Sequence, residues 1–146
     1  MNTISVAVLG ATGTVGQKFV RLLEGHPYFE VTELVASQRS AGRPYREVCN
    51  WKQDTRIPQR QAEMTVKSLD DPLQSGLLFS GLDSSVAGEA EVAYAEKGHM
   101  VVSNSKNHRM DPDVPLVIPE INSEHLGLLK QQRYSGGIVT NPNCST

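Results

Sequence analysis

No stretch of this sequence approaches the ~20 consecutive apolar residues that a membrane-spanning helix needs. The N-terminal run MNTISVAVLG carries no basic residue ahead of its apolar part, so no secretory signal is expected. The default expectation is a cytoplasmic protein without a membrane partner. Cysteine is scarce, with only Cys49 and Cys144, far apart in the chain. A lone pair of this kind in the cytoplasm reads as reduced thiols rather than a disulfide. An excess of one charge is also lacking: the formal net charge is −2. Duplex nucleic acid calls for a basic face, so nucleic-acid binding is not expected. Phosphate binding is not excluded, because it needs only a few local donors. No internal repeat, low-complexity segment or metal-ligand cluster stands out. What remains is 146 residues, 38% hydrophobic and 21% charged, which describes one globular domain large enough to bury a sheet.

Along the chain, apolar segments alternate between two periods. Ile4–Leu9 is a short β-branched run followed at once by a glycine-rich turn. Val15–Leu23 has helical spacing, with Val15, Phe19, Leu22 and Leu23 near one face, and Gly25-His26-Pro27 ends it. Val31–Ala36 is the second apolar run. Strand, tight turn, helix and strand within this length make a βαβ unit, whose crossover is right-handed and whose strands are parallel. Residues 37–62 differ: they are polar and hold Gly42, Pro44, Pro58 and six basic side chains. They read as an excursion, with short strands near Val48–Trp51 and Met64–Lys67. An excursion of this length inside a compact domain is usually functional. Regularity then resumes with a strand over Leu77–Leu82 and a helix capped by Ser84 or Ser85, running to Lys97. Gly98 is placed as its C′ residue. Strands follow at Met100–Ser103 and Leu116–Ile118, then a helix capped by Asn122 or Ser123 through Gln131, and a last strand at Gly137–Thr140. This alternation predicts a Rossmann-like, doubly wound α/β fold with a mostly parallel sheet over residues 1–146.

Gly10-Ala11-Thr12-Gly13-Thr14-Val15-Gly16 is the strongest local motif. Its GxxGxxG spacing departs from the simplest dinucleotide fingerprint, but the physics is shared. Glycines let the backbone turn sharply and a pyrophosphate approach, and the following helix offers unpaired N–H groups. A turn used only for packing is the alternative. The end of the second strand discriminates between nicotinamide cofactors. An NAD site usually places an acid there for the ribose 2′-OH. Here Ser37-Gln38-Arg39-Ser40-Ala41 offers hydroxyls and a guanidinium instead, with Arg39 about twenty residues past Gly16. These suit a 2′-phosphate, so NADP is the expected cofactor. A solvated surface arginine is the other reading.

In open α/β sheets ligands lie beyond the carboxyl ends of the strands. Three segments leave such ends: Ser80-Gly81-Leu82, Asn104-Ser105-Lys106-Asn107-His108-Arg109, and Asn141-Pro142-Asn143-Cys144. Cys144 follows a strand and a Pro-Asn turn, where a helix N-terminus lowers a thiol's pKa and supplies oxyanion donors. It is the candidate nucleophile; an inert buried thiol is the alternative. Cys49 reads as packing. Arg109 is either a fork for a substrate phosphate or a structural partner of Asp111, Asp113 or Glu120. Lys106 is a phosphate contact or a surface charge. Among the histidines, His26 falls in a turn, His99 before a strand and His125 in a helix. His108 is nearest the site, but a loop histidine is usually solvated.

Taken together, GATGTVGQ, SQRSAG, VVSNSKNHRMDPDVPLVIPEIN and IVTNPNCST resemble the aspartate-semialdehyde dehydrogenases of the archaeal and fungal type, from Ile4 to the last residue. That family reduces L-4-aspartyl phosphate to L-aspartate 4-semialdehyde and phosphate with NADPH, through a cysteine thioester, in the synthesis of lysine, threonine, methionine and isoleucine. The resemblance implies that Cys144 bears the acyl group and that Asn143 shapes its pocket. It implies that Thr12–Val15 hold the pyrophosphate, and that Ser37, Arg39 and Ser40 take the 2′-phosphate. Gly10, Gly13, Gly16, Ala41, Ser80 and Gly81 complete the expected cofactor contacts, and Asn104, Lys106 and Arg109 the expected substrate contacts. The partners implied are aspartyl phosphate, phosphate and a second copy of the full-length enzyme.

The family's base histidine and substrate-carboxylate arginine lie in a second domain that follows the cysteine. This chain ends at Thr146, so the expectation is a domain that binds NADP and does not turn over alone. Reduction of another acyl phosphate or of malonyl-CoA, and a non-catalytic NADP-sensing domain, are the alternatives.

Overall fold

The computed structural model describes residues 2–143. Five strands form one sheet: β1 (Ile4–Leu9), β2 (Phe29–Val35), β3 (Leu77–Ser80), β4 (Met100–Ser103) and β5 (Gly137–Thr140). Their order is β2-β1-β3-β4-β5, and every neighbouring pair is parallel. Between them lie α1 (Thr14–Leu23), α2 (Tyr45–Val48), α3 (Gln59–Ala62), α4 (Ser84–Glu96), α5 (Pro119–Asn122) and a 3₁₀ stretch, Ser123–Gln131. The expected doubly wound α/β fold is what forms. Chain order reverses between β1 and β3, which puts the topological switch point, and with it the ligand crevice, beside β1. Among the described residues no helix is long and apolar enough to cross a membrane.

Strand residues alternate between two cores because successive side chains point to opposite faces. On β1, Val6 and Val8 join one buried cluster with Val20, Leu23, Leu34 and Tyr45. Ala7 and Leu9 join the other, with Leu78, Tyr94, Val101 and Ile138. The β1 side chains Val6 to Leu9 are 0% exposed. That burial on both faces explains why the strand reads as a continuous apolar run.

Several local expectations change. The buried face of α1 is Gly16, Gln17, Val20 and Leu23, so Leu22 and Val15 point outward. Phe19 stays half-buried against Phe79. The polar Gln17 takes an inward position that a hydrophobic count passes over. Asp83, not Ser84 or Ser85, caps α4: its carboxylate accepts the Ser85 amide at 2.9 Å. Gly98 follows with φ +98°, as a C′ glycine should. Val48–Trp51 is not a strand, since Val48 ends the single helical turn α2. The predicted strands at 64–67 and 116–118 shrink to bridges. Lys67 pairs with Val35 at one sheet edge, Leu116 with Thr140 at the other, and Thr65 with Pro44. In place of one helix through Gln131, α5 is followed by the 3₁₀ stretch. None of that stretch's residues is buried, so no packed face holds it to α-helical pitch.

Candidate functional site

The turn after β1 is built by glycine contacts. Gly10 has φ +75°, a conformation L side chains rarely adopt. A Cβ on Gly16 would lie 2.0 Å from the Gly10 carbonyl oxygen, and one on Gly81 would lie 2.9 Å from the Gly16 nitrogen. Three backbones therefore meet at the carboxyl ends of β1 and β3. Gly13 is the N-cap of α1 and supplies no side-chain cap. The first-turn amides of Thr14, Val15 and Gly16 have no intrahelical partner, so the helix presents donors and partial positive charge outward.

The excursion folds onto this turn. Tyr45, 0% exposed, donates its hydroxyl to the Ala11 carbonyl at 2.5 Å. Gln17 donates to the carbonyls of Thr12 at 2.9 Å and Asn50 at 3.0 Å, and accepts from the Lys52 amide at 2.8 Å. Tyr45 and Gln17 thus hold the carbonyl side of the loop. Burial pushes the Cys49 thiol up from its usual pKa, only partly offset by a hydrogen bond with Tyr45. That is the behaviour of a packing cysteine.

Two recesses flank the N-terminal end of α1. The first, about 470 Å³, is lined by Thr12, Ser37, Arg39, Ser40, Arg43, Glu47, Val48 and Asn50. It joins the glycine turn to the end of β2, where Ser40 and Ala41 donate their amides to the Ser37 carbonyl. Ala41 shapes this turn but does not line the recess. The second, about 360 Å³, is lined by Thr14, Val15, Lys18, Gln53 and Asn104. It carries the helix end across to the loop after β4.

At the carboxyl edge the structure separates residues that the sequence placed together. Ser80 is fully buried and donates its hydroxyl at 2.5 Å to Glu91 of α4, so its side chain faces away from the glycine turn. Gly81 stays against that turn, its amide donating to Leu9. Arg109 makes none of the three ion pairs considered for it. Asp111 is engaged by His108 and Asp113 by Arg133, while Arg109 Nη2 donates to the Asn104 carbonyl at 2.8 Å. Its Nε is buried without a hydrogen-bond partner among the described residues. Asn104 Oδ1 accepts from Asn141 Nδ2 at 2.8 Å, and Asn141 Oδ1 is likewise buried and has no hydrogen-bond partner among the described residues. Arg109, Asn104 and Asn141 therefore form one cluster with open donor and acceptor capacity. Lys106 is exposed and Asn143 is exposed. Cys144 lies outside the described residues.

Sequence reasoning missed Glu91 and misplaced His108. Glu91 is 0% exposed. It accepts from Ser80 at 2.5 Å, Ser103 at 2.7 Å and Ser105 at 3.4 Å. His108 is 7% exposed rather than solvated. Its Nδ1 lies 2.9 Å from Asp111, and its Nε2 lies 3.3 Å from the Gly88 carbonyl and 3.9 Å from Glu91. A glutamate inside a helix with little amphipathic pattern offers no local signal. Only serines ending two successive strands hinted at a polar centre.

A glycine cradle at a helix N-terminus, beside the switch point of a parallel sheet, defines a dinucleotide-binding domain of the doubly wound α/β class. The family pattern of the semialdehyde dehydrogenase NAD binding domain matches residues 5–129, and the chain belongs to that family. It is 52% identical over 150 residues to an aspartate-semialdehyde dehydrogenase of Methanothermobacter thermautotrophicus, covering 98% of this chain and 43% of that protein. It is 46% identical over 148 residues to one from Schizosaccharomyces pombe, covering 97% of this chain and 42% of the relative. The crystal structure of aspartate semialdehyde dehydrogenase with NADP from Candida albicans superposes with a TM-score of 0.91 at 40% identity, covering 99% of this chain and 44% of that one. The chain thus spans less than half the length of these relatives.

Proposed function

We propose that this chain is the NADP-binding part of an aspartate-semialdehyde dehydrogenase. The observation that carries the reading is the pair of recesses on either side of the uncapped end of α1. In this reading the amides of Thr14, Val15 and Gly16 hold the pyrophosphate, and the hydroxyl of Thr12 lies beside it. Ser37, Arg39 and Ser40 take the 2′-phosphate in the first recess; an arginine fork and hydroxyls match that group. The second recess leads the nicotinamide toward Asn104. The residues present fit such a ligand, because their donors outnumber acceptors and α1 has no side-chain cap. When bound, the reduced cofactor supplies a hydride.

In the same reading Cys144 attacks the acyl carbon of aspartyl phosphate, the bond to the phosphate oxygen breaks, and phosphate leaves. Arg109, with its unpartnered Nε, holds that phosphate. Asn104 and Asn141 fix the edge of the pocket, Lys106 adds an exposed positive charge, and Asn143 borders the thioester. The C. albicans relative's bound NADP and the reaction named by the aligned relatives support the assignment. A cytoplasmic setting and a homo-oligomeric full-length enzyme rest on the family likeness alone.

Alkylation by iodoacetamide tests the reading within one molecule, because Cys49 serves as an internal reference. Cys144 is expected to react at least roughly tenfold faster than Cys49, as an activated thiolate does, with NADP changing its rate and not that of Cys49. Equal slow rates, with NADP still bound, would instead mark a nucleotide-sensing domain. Failure to bind NADP would remove the cradle assignment itself.

A further inference from the structure

The end of β2 carries no acid, yet the fold brings one to the same place. Glu47 of α2 lines the first recess together with Ser37, Arg39 and Ser40. It sits over Arg43, a second guanidinium of that recess, with Arg43 Nε 3.8 Å from Glu47 Oε2. Both side chains are about half exposed and free to exchange partners. Their backbone is not free. Tyr45, between them, is buried and bonded through its hydroxyl to Ala11 and through its amide to Met64. The Arg43 carbonyl accepts from Val66. Arg39, by contrast, makes no ion pair among the described residues. The recess therefore holds one arginine outside any ion pair among the described residues, one arginine loosely paired at 3.8 Å, and one carboxylate.

These groups have opposite preferences. A 2′-phosphate is drawn by Arg39 and Arg43 and repelled by Glu47. A 2′-hydroxyl needs an acceptor, which a carboxylate at this place supplies. We propose that Glu47 is the specificity-determining residue of the cradle: it holds Arg43 back from a 2′-phosphate and accepts from the ribose of NAD, so the domain takes both nucleotides and Glu47 sets their ratio. The inference rests on reading this recess as the adenosine-ribose subsite.

The test is equilibrium binding of NADPH and NADH to the chain, followed by nicotinamide fluorescence, for the wild type, Glu47→Gln and Glu63→Gln. Glu63 pairs with Arg46 and does not line the recess, so its variant reports a charge change elsewhere on the same surface. Glu47→Gln is expected to tighten NADPH roughly threefold and weaken NADH by a similar factor, the scale of an exposed charge pair. Glu63→Gln is expected to leave the ratio unchanged. No shift with Glu47→Gln, a shift of both nucleotides in the same direction, or an equal shift with Glu63→Gln each overturns the proposal while leaving the cradle intact. If the wild type binds neither nucleotide, the underlying subsite reading fails and the proposal falls with it.

Discussion

At the scale of single residues, the glycine motif divides into positions that approach backbone and a position that does not. Gly16 has no room: an added Cβ would meet the carbonyl oxygen and carbon of Gly10 at 2.0 and 2.6 Å. Backbone cannot rotate out of the way as a side chain does. Gly13 is different, with a Cβ meeting only the Gly10 carbonyl oxygen, at an ordinary 3.5 Å. Gly16→Ala is therefore expected to destabilise the fold by about 1–3 kcal/mol, as overpacking does, and to abolish nucleotide binding. Gly13→Ala should keep the fold. Urea unfolding and NADPH titration of the two variants check this, and equal stability losses would refute the distinction. The motif's spacing was legible in the sequence because steric demands on glycine are local. Which glycine touched what was not legible, since Gly81, the third participant, comes from another strand.

At the scale of elements, what the sequence disclosed depended on how local the cause was. β1, β4 and β5 follow from apolar runs and turns, and the structure keeps them; α4 also forms, but Asp83 caps it in place of Ser84 or Ser85. The edge segments at 64–67 and 116–118 did not form full strands, because a segment at a sheet edge has one pairing neighbour and its extent is set by that neighbour. Glu91 shows the other limit. Its partners Ser80, Ser103 and Ser105 come from two strand ends and a loop, joined only by the fold. The carboxylate ties α4 to β3, to β4 and to the segment carrying Asn104 and Arg109. Glu91→Ala leaves three buried hydroxyls without their acceptor, while His108 keeps Asp111 at 2.9 Å. Each lost bond to a charged group costs about 1.5–3 kcal/mol, and the hydroxyls partly re-pair among themselves, as Ser103 and Ser105 already do at 3.1 Å. A loss of about 3 kcal/mol is expected in urea unfolding, with Glu91→Gln losing less because its amide oxygen still accepts. A Glu91→Ala variant as stable as the wild type would show that the serines are satisfied without it.

At the scale of the whole molecule, the excursion is what distinguishes this domain from a bare βαβαβ sheet, and the sequence marked its extent without its destination. Residues 37–62 are polar and carry no helical period, so Tyr45, Glu47 and Asn50 could not be assigned to the cradle until the chain was folded back on α1. Its return to the sheet is fastened by a second buried carboxylate. Glu33 of β2, 6% exposed, binds Lys67 at 2.6 Å, the Ser75 hydroxyl at 2.6 Å, and the amides of Gln74 and Ser75 at 3.0 and 2.7 Å. Burial alone would raise its pKa. Lys67, Ser75 and the two amides outweigh burial and hold it at about 2, against an ordinary 4.5. Folding therefore favours the ionised form. That stabilisation is complete above pH 4.5 and is lost as the pH falls from 4.5 toward 2, because the unfolded chain takes up the proton first. At 1.36 kcal/mol per unit the effect is about 3 kcal/mol. Glu33→Gln is expected to lose that amount at pH 7 and to show a shallower fall in stability between pH 4.5 and 2 than the wild type, measured by urea unfolding at stepped pH. Parallel pH profiles for the two proteins would mean that other carboxylates, and not this fastening, govern acid unfolding.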